Sequence, residues 1–146
     1  MDEPRDAAIL HVRLPGLLPM GRVLALHQTL SVLLCLACEC EQGEPLLQCV
    51  ELLTPKEARA LVPLLQSYPA YAPYALVWAG MEGIPVAEAQ AQVHVAQSQG
   101  EQSWVAFIQP VRSLLSGLRR TLHRCDLDIV AVLQKGYLLK HWKHHP

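Results

Sequence analysis

The chain has 146 residues, of which 51% are hydrophobic and 17% charged, and its net charge is −1. This length is enough for one ordinary hydrophobic core, so we expect a single domain. No apolar run reaches the roughly 20 residues that a membrane span needs. The acidic start MDEPRDAAIL is unlike the basic start of a signal peptide. We therefore expect a cytoplasmic protein that does not cross a membrane.

The charge is distributed unevenly along the chain. Residues 1–101 carry five Lys/Arg against eleven Asp/Glu, a net charge of −6, whereas residues 102–146 carry seven Lys/Arg against two Asp, a net charge of +5. This asymmetry points to a polyanion or an acidic partner at the C-terminal part of the chain, although a solvated basic tail would give the same pattern.

The first fifty residues have the β-branched, short-run character of strands. Four such runs are separated by turn signals: AAILHVRL, RVLALHQ, SVLLCLACE and LLQCVEL. They predict a four-stranded antiparallel sheet over residues 7–52, after a flexible N-terminus at residues 1–6.

A cluster of cysteines lies in the third and fourth runs and the turn between them: Cys35, Cys38, Cys40 and Cys49. A structural zinc site commonly takes its ligands in two close pairs, whereas here a C-x2-C-x-C group is followed by a single thiol. On a strand Cys38 and Cys40 would also face away from Cys35. We interpret the cluster as free thiols, with a metal or redox role as the alternative, and we expect no cofactor.

Helices are predicted within residues 53–124. Thr54 fits an N-cap, Pro55 the first helical position and Glu57 the position three residues after the cap, which together predict a capping box. Weaker patterns predict two further helices, at about 73–80 and 85–99.

The segment PVRSLLSGLRRTLHR, residues 110–124, predicts a last helix with two different faces. Pro110 fits its first helical position. Apolar residues at helical spacing predict a buried stripe: Val111, Leu115, Leu118 and Leu122. The opposite face is cationic, and LDIVAVLQKGYLL then predicts a β-hairpin at residues 127–139. A basic helix followed by a hairpin is the arrangement of a winged helix, in which the helix enters the major groove and the hairpin contacts phosphates or the neighbouring groove.

These residues resemble the OmpR/PhoB-type winged-helix effector domain of bacterial transcription regulators. That family opens its first helix with Leu-Thr-Pro-x-Glu, present at residues 53–57. Its recognition helix carries Leu-Arg-x-x-Leu, present at 118–122, and its wing ends in Gly-Tyr and a hydrophobic residue, present at 136–138. The three motifs occur in the family's order, and the resemblance covers residues 7–142.

The resemblance implies an α+β fold. We expect a winged helix-turn-helix with an N-terminal four-stranded antiparallel sheet, three to four helices and a C-terminal β-hairpin wing at residues 125–142, followed by a frayed tail at 143–146. The family's receiver domain would have to precede residue 7, so we expect none and no regulation by its phosphorylation.

The resemblance also implies a sequence-specific regulator of transcription that binds double-stranded DNA in the bacterial cytoplasm. Arg119 and Tyr137 match the family's pattern, and the other candidates come from the cationic face and the hairpin turn. The DNA-binding residues that we expect are Arg112, Ser113, Ser116, Arg119, Arg120, His123, Arg124, Lys135 and Tyr137.

Several positions depart from the family and favour an alternative function. Three positions at which the family often has polar or basic residues are here Leu114, Ser116 and Gly117, and Leu133 and Gln134 stand where it commonly has Arg-Gly. The alternative is a protein–protein interaction module that has lost DNA binding and holds RNA polymerase, another regulator or a second copy of itself in a homodimer. One exposed apolar patch of Leu114, Leu133 and Trp142 would favour it.

An enzyme is not expected from this sequence. It contains no Gly-rich phosphate loop and no nucleophile elbow, and its carboxylates are concentrated in turns and helix starts.

Overall fold

The computed structural model describes residues 8–37 and 46–143. The predicted flexible N-terminus at 1–6, the thiols of Cys38 and Cys40, and residues 144–146 of the predicted tail lie outside the described residues. The chain has an α+β fold with a winged-helix-like layout, as the sequence predicts. Its elements are β1 (Ile9–Val12), β2 (Arg22–His27), β3 (Val32–Ala37), β4 (Leu46–Leu52), α1 (Pro55–Ser67), β5 (Ala72–Pro73), α2 (Tyr74–Glu82), α3 (Val86–Ser98), α4 (Glu101–His123), β6 (Leu127–Val132) and β7 (Gly136–His141).

The predicted N-terminal sheet is confirmed. It is antiparallel throughout, in the order β1-β2-β3-β4. Leu26 of β2 lies opposite Leu33 of β3, and both side chains are fully buried. This face of the sheet packs on α1 and α4 in one core, which also contains the apolar residues of the C-terminal hairpin.

The start of α1 is the predicted capping box. The Glu57 N–H donates to Thr54 Oγ1 at 3.1 Å, and the Thr54 N–H donates to Glu57 Oε1 at 2.9 Å. The helix continues past Pro63, which has no N–H for the carbonyl of Arg59. The backbone of Gly80 in α2 approaches that carbonyl closely. A Cβ at position 80 would lie only 2.6 Å from its oxygen.

The predicted start of the last helix at Pro110 is wrong, because α4 begins nine residues earlier at Glu101. Trp104, Phe107 and Ile108 extend the apolar stripe toward the N-terminus and pack on the core. Pro110 is tolerated inside the helix because it lies on the exposed side together with Ala106, whose carbonyl loses its usual donor and can be solvated instead. Gly100, at φ 103°, makes the sharp turn that separates α3 from α4.

The predicted C-terminal hairpin is confirmed. Strands β6 and β7 pair antiparallel around a turn at residues 133–135. A third, two-residue strand, β5, pairs with the other edge of β7, so that Ala72 lies opposite Tyr137. The hairpin is thereby attached to the loop before α2 as well as to α4.

None of the helices in residues 8–37 and 46–143 is long and apolar enough to span a membrane.

The pairing of β5 with β7 depends on the absence of a side chain at Gly136. A Cβ there would overlap the carbonyl group of Ala72 and the backbone of Pro73, neither of which can rotate away. We therefore expect Gly136→Ala to lower the free energy of unfolding by about 2–3 kcal/mol, measured by urea denaturation.

Gly117→Ala is the matched control, since its new Cβ would meet only Glu57 Oε2, at 3.2 Å, and not the Oε1 atom that accepts in the capping box. Alanine also favours a helix over glycine by up to about 1 kcal/mol, so this variant should be as stable as the wild type or slightly more stable. Equal stability of Gly136→Ala and the wild type would contradict the close approach of the two strands.

Candidate nucleic-acid interface

Helix α4 has the two faces that its sequence predicts. Its inner face is buried in the core through Ile108, Val111, Leu115, Leu118 and Leu122. Its outer face is exposed and carries Arg112, Ser113, Ser116, Arg119 and Arg120. The cationic side chains therefore project from a helix whose orientation is fixed by its leucines.

One carboxylate joins α4 to the hairpin. Asp128 is the second residue of β6, and its side chain is only 12% exposed. It accepts hydrogen bonds from Arg119 Nε at 2.8 Å and Nη2 at 3.3 Å, and from the Ile129 N–H at 2.8 Å. Its Oδ1 also lies 2.9 Å from His123 Nε2. Two turns of the helix are thereby attached to the first strand of the hairpin.

These hydrogen bonds set the charge state of the pair. Burial by itself would raise the pKa of Asp128, but the hydrogen bonds from Arg119, His123 and the Ile129 amide outweigh it and hold the pKa below its ordinary value of 3.8. The bond to Asp128 raises the pKa of Arg119 despite the opposing effect of desolvation. Arg119 is nevertheless 46% exposed, so its remaining N–H groups can reach a ligand.

Arg112 lies where α4 faces the second strand of the hairpin. The pKa of Tyr137 is raised by its burial and by the nearby Tyr74, and the positive charge of Arg112 offsets part of this. A pocket of about 220 Å³ opens here, with Ser116 and Arg119 beside Arg112 in its wall. Tyr137 is 7% exposed, so it presents little surface to a ligand.

The hairpin turn presents a further cation. Lys135 is exposed, and its Nζ lies 5.9 Å from the ring centroid of Tyr71. Its carbonyl accepts a hydrogen bond from the Tyr74 N–H at 3.2 Å. The turn is therefore braced against the segment between α1 and α2.

The C-terminal end of α4 is committed to contacts within the chain. The ring of His123 stacks on that of Trp142, with centroids 3.8 Å apart, in addition to its contact with Asp128. Arg124 donates to Glu51 of β4 at 2.9 Å. Both residues were expected to contact DNA, but their first role in the structure is to attach the end of α4 to the sheet and the hairpin.

The nine expected residues therefore fall into three groups. Four surround the pocket between α4 and the hairpin: Arg112, Ser116, Arg119 and Tyr137. Ser113, Arg120 and Lys135 are exposed beside it. His123 and Arg124 lie at the far end of the helix.

The sequence interpretation missed the N-terminal part of this face. Gln102 and Gln109 are exposed on the first turns of α4, and amide side chains can bind base edges in the major groove. The signal that could have found them is the apolar spacing of Trp104, Phe107 and Ile108, which continues the buried stripe upstream of Pro110.

Among the residues that the structure describes, no three His, Cys, Asp or Glu side chains are arranged to hold a metal ion. The described cysteines, Cys35, Cys49 and Cys125, are free thiols.

Replacing Asp128 should loosen the helix from the hairpin. Asp128→Asn removes the negative charge and turns an NH2 group toward donors, so we expect the free energy of unfolding at pH 7 to fall by about 2 kcal/mol in urea denaturation. Glu82→Gln is the control, since it breaks an exposed ion pair with Lys56 at 3.9 Å and should cost less than about 1 kcal/mol.

The stability difference between the wild type and Asp128→Asn should also depend on pH, in a direction that the lowered pKa of Asp128 determines. Because the pKa of Asp128 is lowered in the folded state, its contribution to stability is present above the ordinary value of 3.8 and is lost as the pH falls through the folded-state pKa. The stability difference between the wild type and Asp128→Asn should therefore be constant near neutrality and shrink below that value. A difference that stays the same down to the acid transition would contradict the assignment.

Comparison with known proteins adds no family to this description. No protein-family model, no curated protein and no solved structure matches the chain. The functional interpretation therefore depends on the geometry of α4 and the hairpin.

Proposed function

We propose that this chain is a sequence-specific, double-stranded DNA-binding regulator of transcription that acts in the bacterial cytoplasm. Helix α4 would lie in the major groove, and the β6–β7 hairpin would act as the wing. The observation that supports this most is a row of exposed cations on a helix whose other face is fully buried, next to a hairpin that carries Lys135 at its turn.

The side chains divide into two roles in this proposal. Arg112, Ser113 and Ser116 lie on the middle of the exposed face, where they would reach base edges. Arg119, Arg120 and Lys135 would contact phosphates, which fix the register of the protein on the duplex. Asp128 already neutralises part of the Arg119 charge, so Arg112, Arg120 and Lys135 would supply most of the electrostatic attraction.

Removing two of these cations should weaken DNA binding. We expect Arg112→Ala combined with Arg120→Ala to raise the Kd for duplex DNA at least about tenfold at low salt, measured by fluorescence anisotropy. The slope of log Kd against log salt concentration should fall by about 1, because Arg120 is the phosphate contact of the pair and its loss releases about one counterion fewer.

Arg13→Ala combined with Lys56→Ala is the control, since it changes the net charge equally on the β1–β2 connection and on α1. It should leave the Kd close to that of the wild type. The proposal fails if the wild type binds no duplex at low salt, or if both double variants bind alike.

A second candidate function, self-association, is favoured by the outer edge of the N-terminal sheet. Strand β4 is one of the two edge strands of this sheet, and four of its side chains are 48–78% exposed: Leu46, Leu47, Val50 and Leu52. The exposed side chains continue an apolar face, since Val50 lies opposite Leu34 and Leu52 opposite Val32. Such an edge is a template for strand pairing unless a charge, a proline or a covering segment protects it.

A second copy of the chain is the occupant that this edge fits. Two β4 strands can pair antiparallel around a two-fold axis, and the aligned side chains of this face carry no charge that would repel the partner's. The single apolar patch of Leu114, Leu133 and Trp142 that would favour the interaction module does not form. Leu114 packs against the core, and Leu133 and Trp142 lie at opposite ends of the hairpin.

If the chain self-associates through β4, lysine side chains introduced on that strand should prevent dimerisation. We expect wild-type chain at tens of micromolar to sediment as a dimer and Val50→Lys combined with Leu52→Lys to sediment as a monomer. Leu133→Lys places the same charge on the 86% exposed leucine of the hairpin turn and should leave the dimer intact. A wild-type monomer at all concentrations would contradict this second candidate.

A further inference from the structure

Two thiols meet where the N-terminal sheet packs against the end of α4. Cys49 lies on the edge strand β4, and Cys125 lies in the turn between α4 and β6, 76 residues further along the chain. Their Sγ atoms are 3.4 Å apart. The ion pair between Arg124 and Glu51 joins the same two segments, so this contact belongs to a fixed junction.

A third thiol lies on the other side of Cys49. Cys35 of β3 is its direct cross-strand partner. Cβ atoms of directly opposite residues are about 4.5–5.5 Å apart, whereas a disulfide needs about 3.5–4.5 Å. Strand β3 is also paired on both sides, with β2 and β4, so it has little freedom to move toward Cys49.

We propose that Cys49 and Cys125 are a site of intramolecular disulfide formation that responds to hydrogen peroxide. The sulfur atoms must approach each other by about 1.4 Å to reach the bond length of about 2.0 Å. One partner lies on an edge strand and the other in a turn, which are the parts of the junction best able to make that movement.

The exposure of the two thiols determines which of them reacts with peroxide first. Cys49 is half-buried, whereas Cys125 is buried, and burial and contact with Cys49 raise the pKa of Cys125 well above its ordinary value. Burial likewise raises the pKa of Cys35 to about 11, so both buried groups remain thiols at neutral pH. Cys49 is therefore the sulfur that peroxide reaches first.

The reaction balances with one molecule of hydrogen peroxide. The sulfur of Cys49 attacks one peroxide oxygen, the O–O bond breaks, and a sulfenic acid and one water are formed. The sulfur of Cys125 then attacks the Cys49 sulfur, the S–O bond breaks, and the disulfide and a second water are formed. The two thiols lose two electrons and two protons in total, which the peroxide takes up.

The bond would connect β4 covalently to the turn that follows α4. It would close a loop of more than 70 residues in the unfolded chain, so the oxidised protein should melt at a higher temperature than the reduced one. This consequence does not depend on DNA binding or on self-association.

Tryptic peptides give a direct test, because Cys125 falls on residues 125–135 and the other cysteines of this region fall on residues 23–56. After peroxide treatment of the folded wild type, digestion without reduction should yield these two peptides covalently linked, with fragment spectra placing the bond at Cys49. The melting temperature should rise by about 5–10 °C and return to its original value with dithiothreitol.

The matched controls are single serine variants. Cys49→Ser should lose the link, whereas Cys35→Ser, Cys38→Ser and Cys40→Ser should keep it. Fragment spectra of the wild type locate the bond even if a variant fails to fold. Absence of the linked peptides, a bond placed at Cys35, Cys38 or Cys40, or a link that persists in Cys49→Ser would overturn the proposal.

Discussion

The Asp128 carboxylate fixes the position of α4 relative to the hairpin, and the candidate interface depends on that position. It holds the Arg119 guanidinium through two nitrogen atoms, contacts His123 one turn further along, and accepts from the backbone of its own strand. Its depressed pKa means that this connection is charged and complete at neutral pH. A helix attached only by apolar packing could slide along the sheet, whereas a hydrogen-bonded ion pair specifies one register.

The same ion pairs decide which cations remain available to a ligand. Asp128 and Glu51 partly neutralise Arg119 and Arg124, while Arg112 is exposed on the middle of α4 beside the pocket. Exposed cations therefore lie on the middle of α4 and at the hairpin turn, although the whole chain has a net charge of −1. A polyanion would meet this limited surface rather than a uniformly basic protein.

Local sequence patterns predict most of the helices and strands. They do not predict contacts between helices and strands that are distant along the chain. The capping box at Thr54 and the alternating hairpin residues are determined by near neighbours, so sequence was sufficient. The start of α4 was misplaced because proline is common at a first helical position and Pro110 fitted that rule. Periodicity placed Arg119 on the outer face, but its pairing with Asp128 and the contact of Cys49 with Cys125 arise from tertiary packing, which spacing along one helix or strand does not encode.

The central claim, that the exposed face of α4 reads duplex DNA, is tested most directly by selecting bound fragments from a pool of genomic duplexes at low salt and footprinting them. We expect enriched fragments that share a motif, with protected bases in the major groove at that motif. Recovery of no fragments above background, or of fragments without any common sequence, would contradict it.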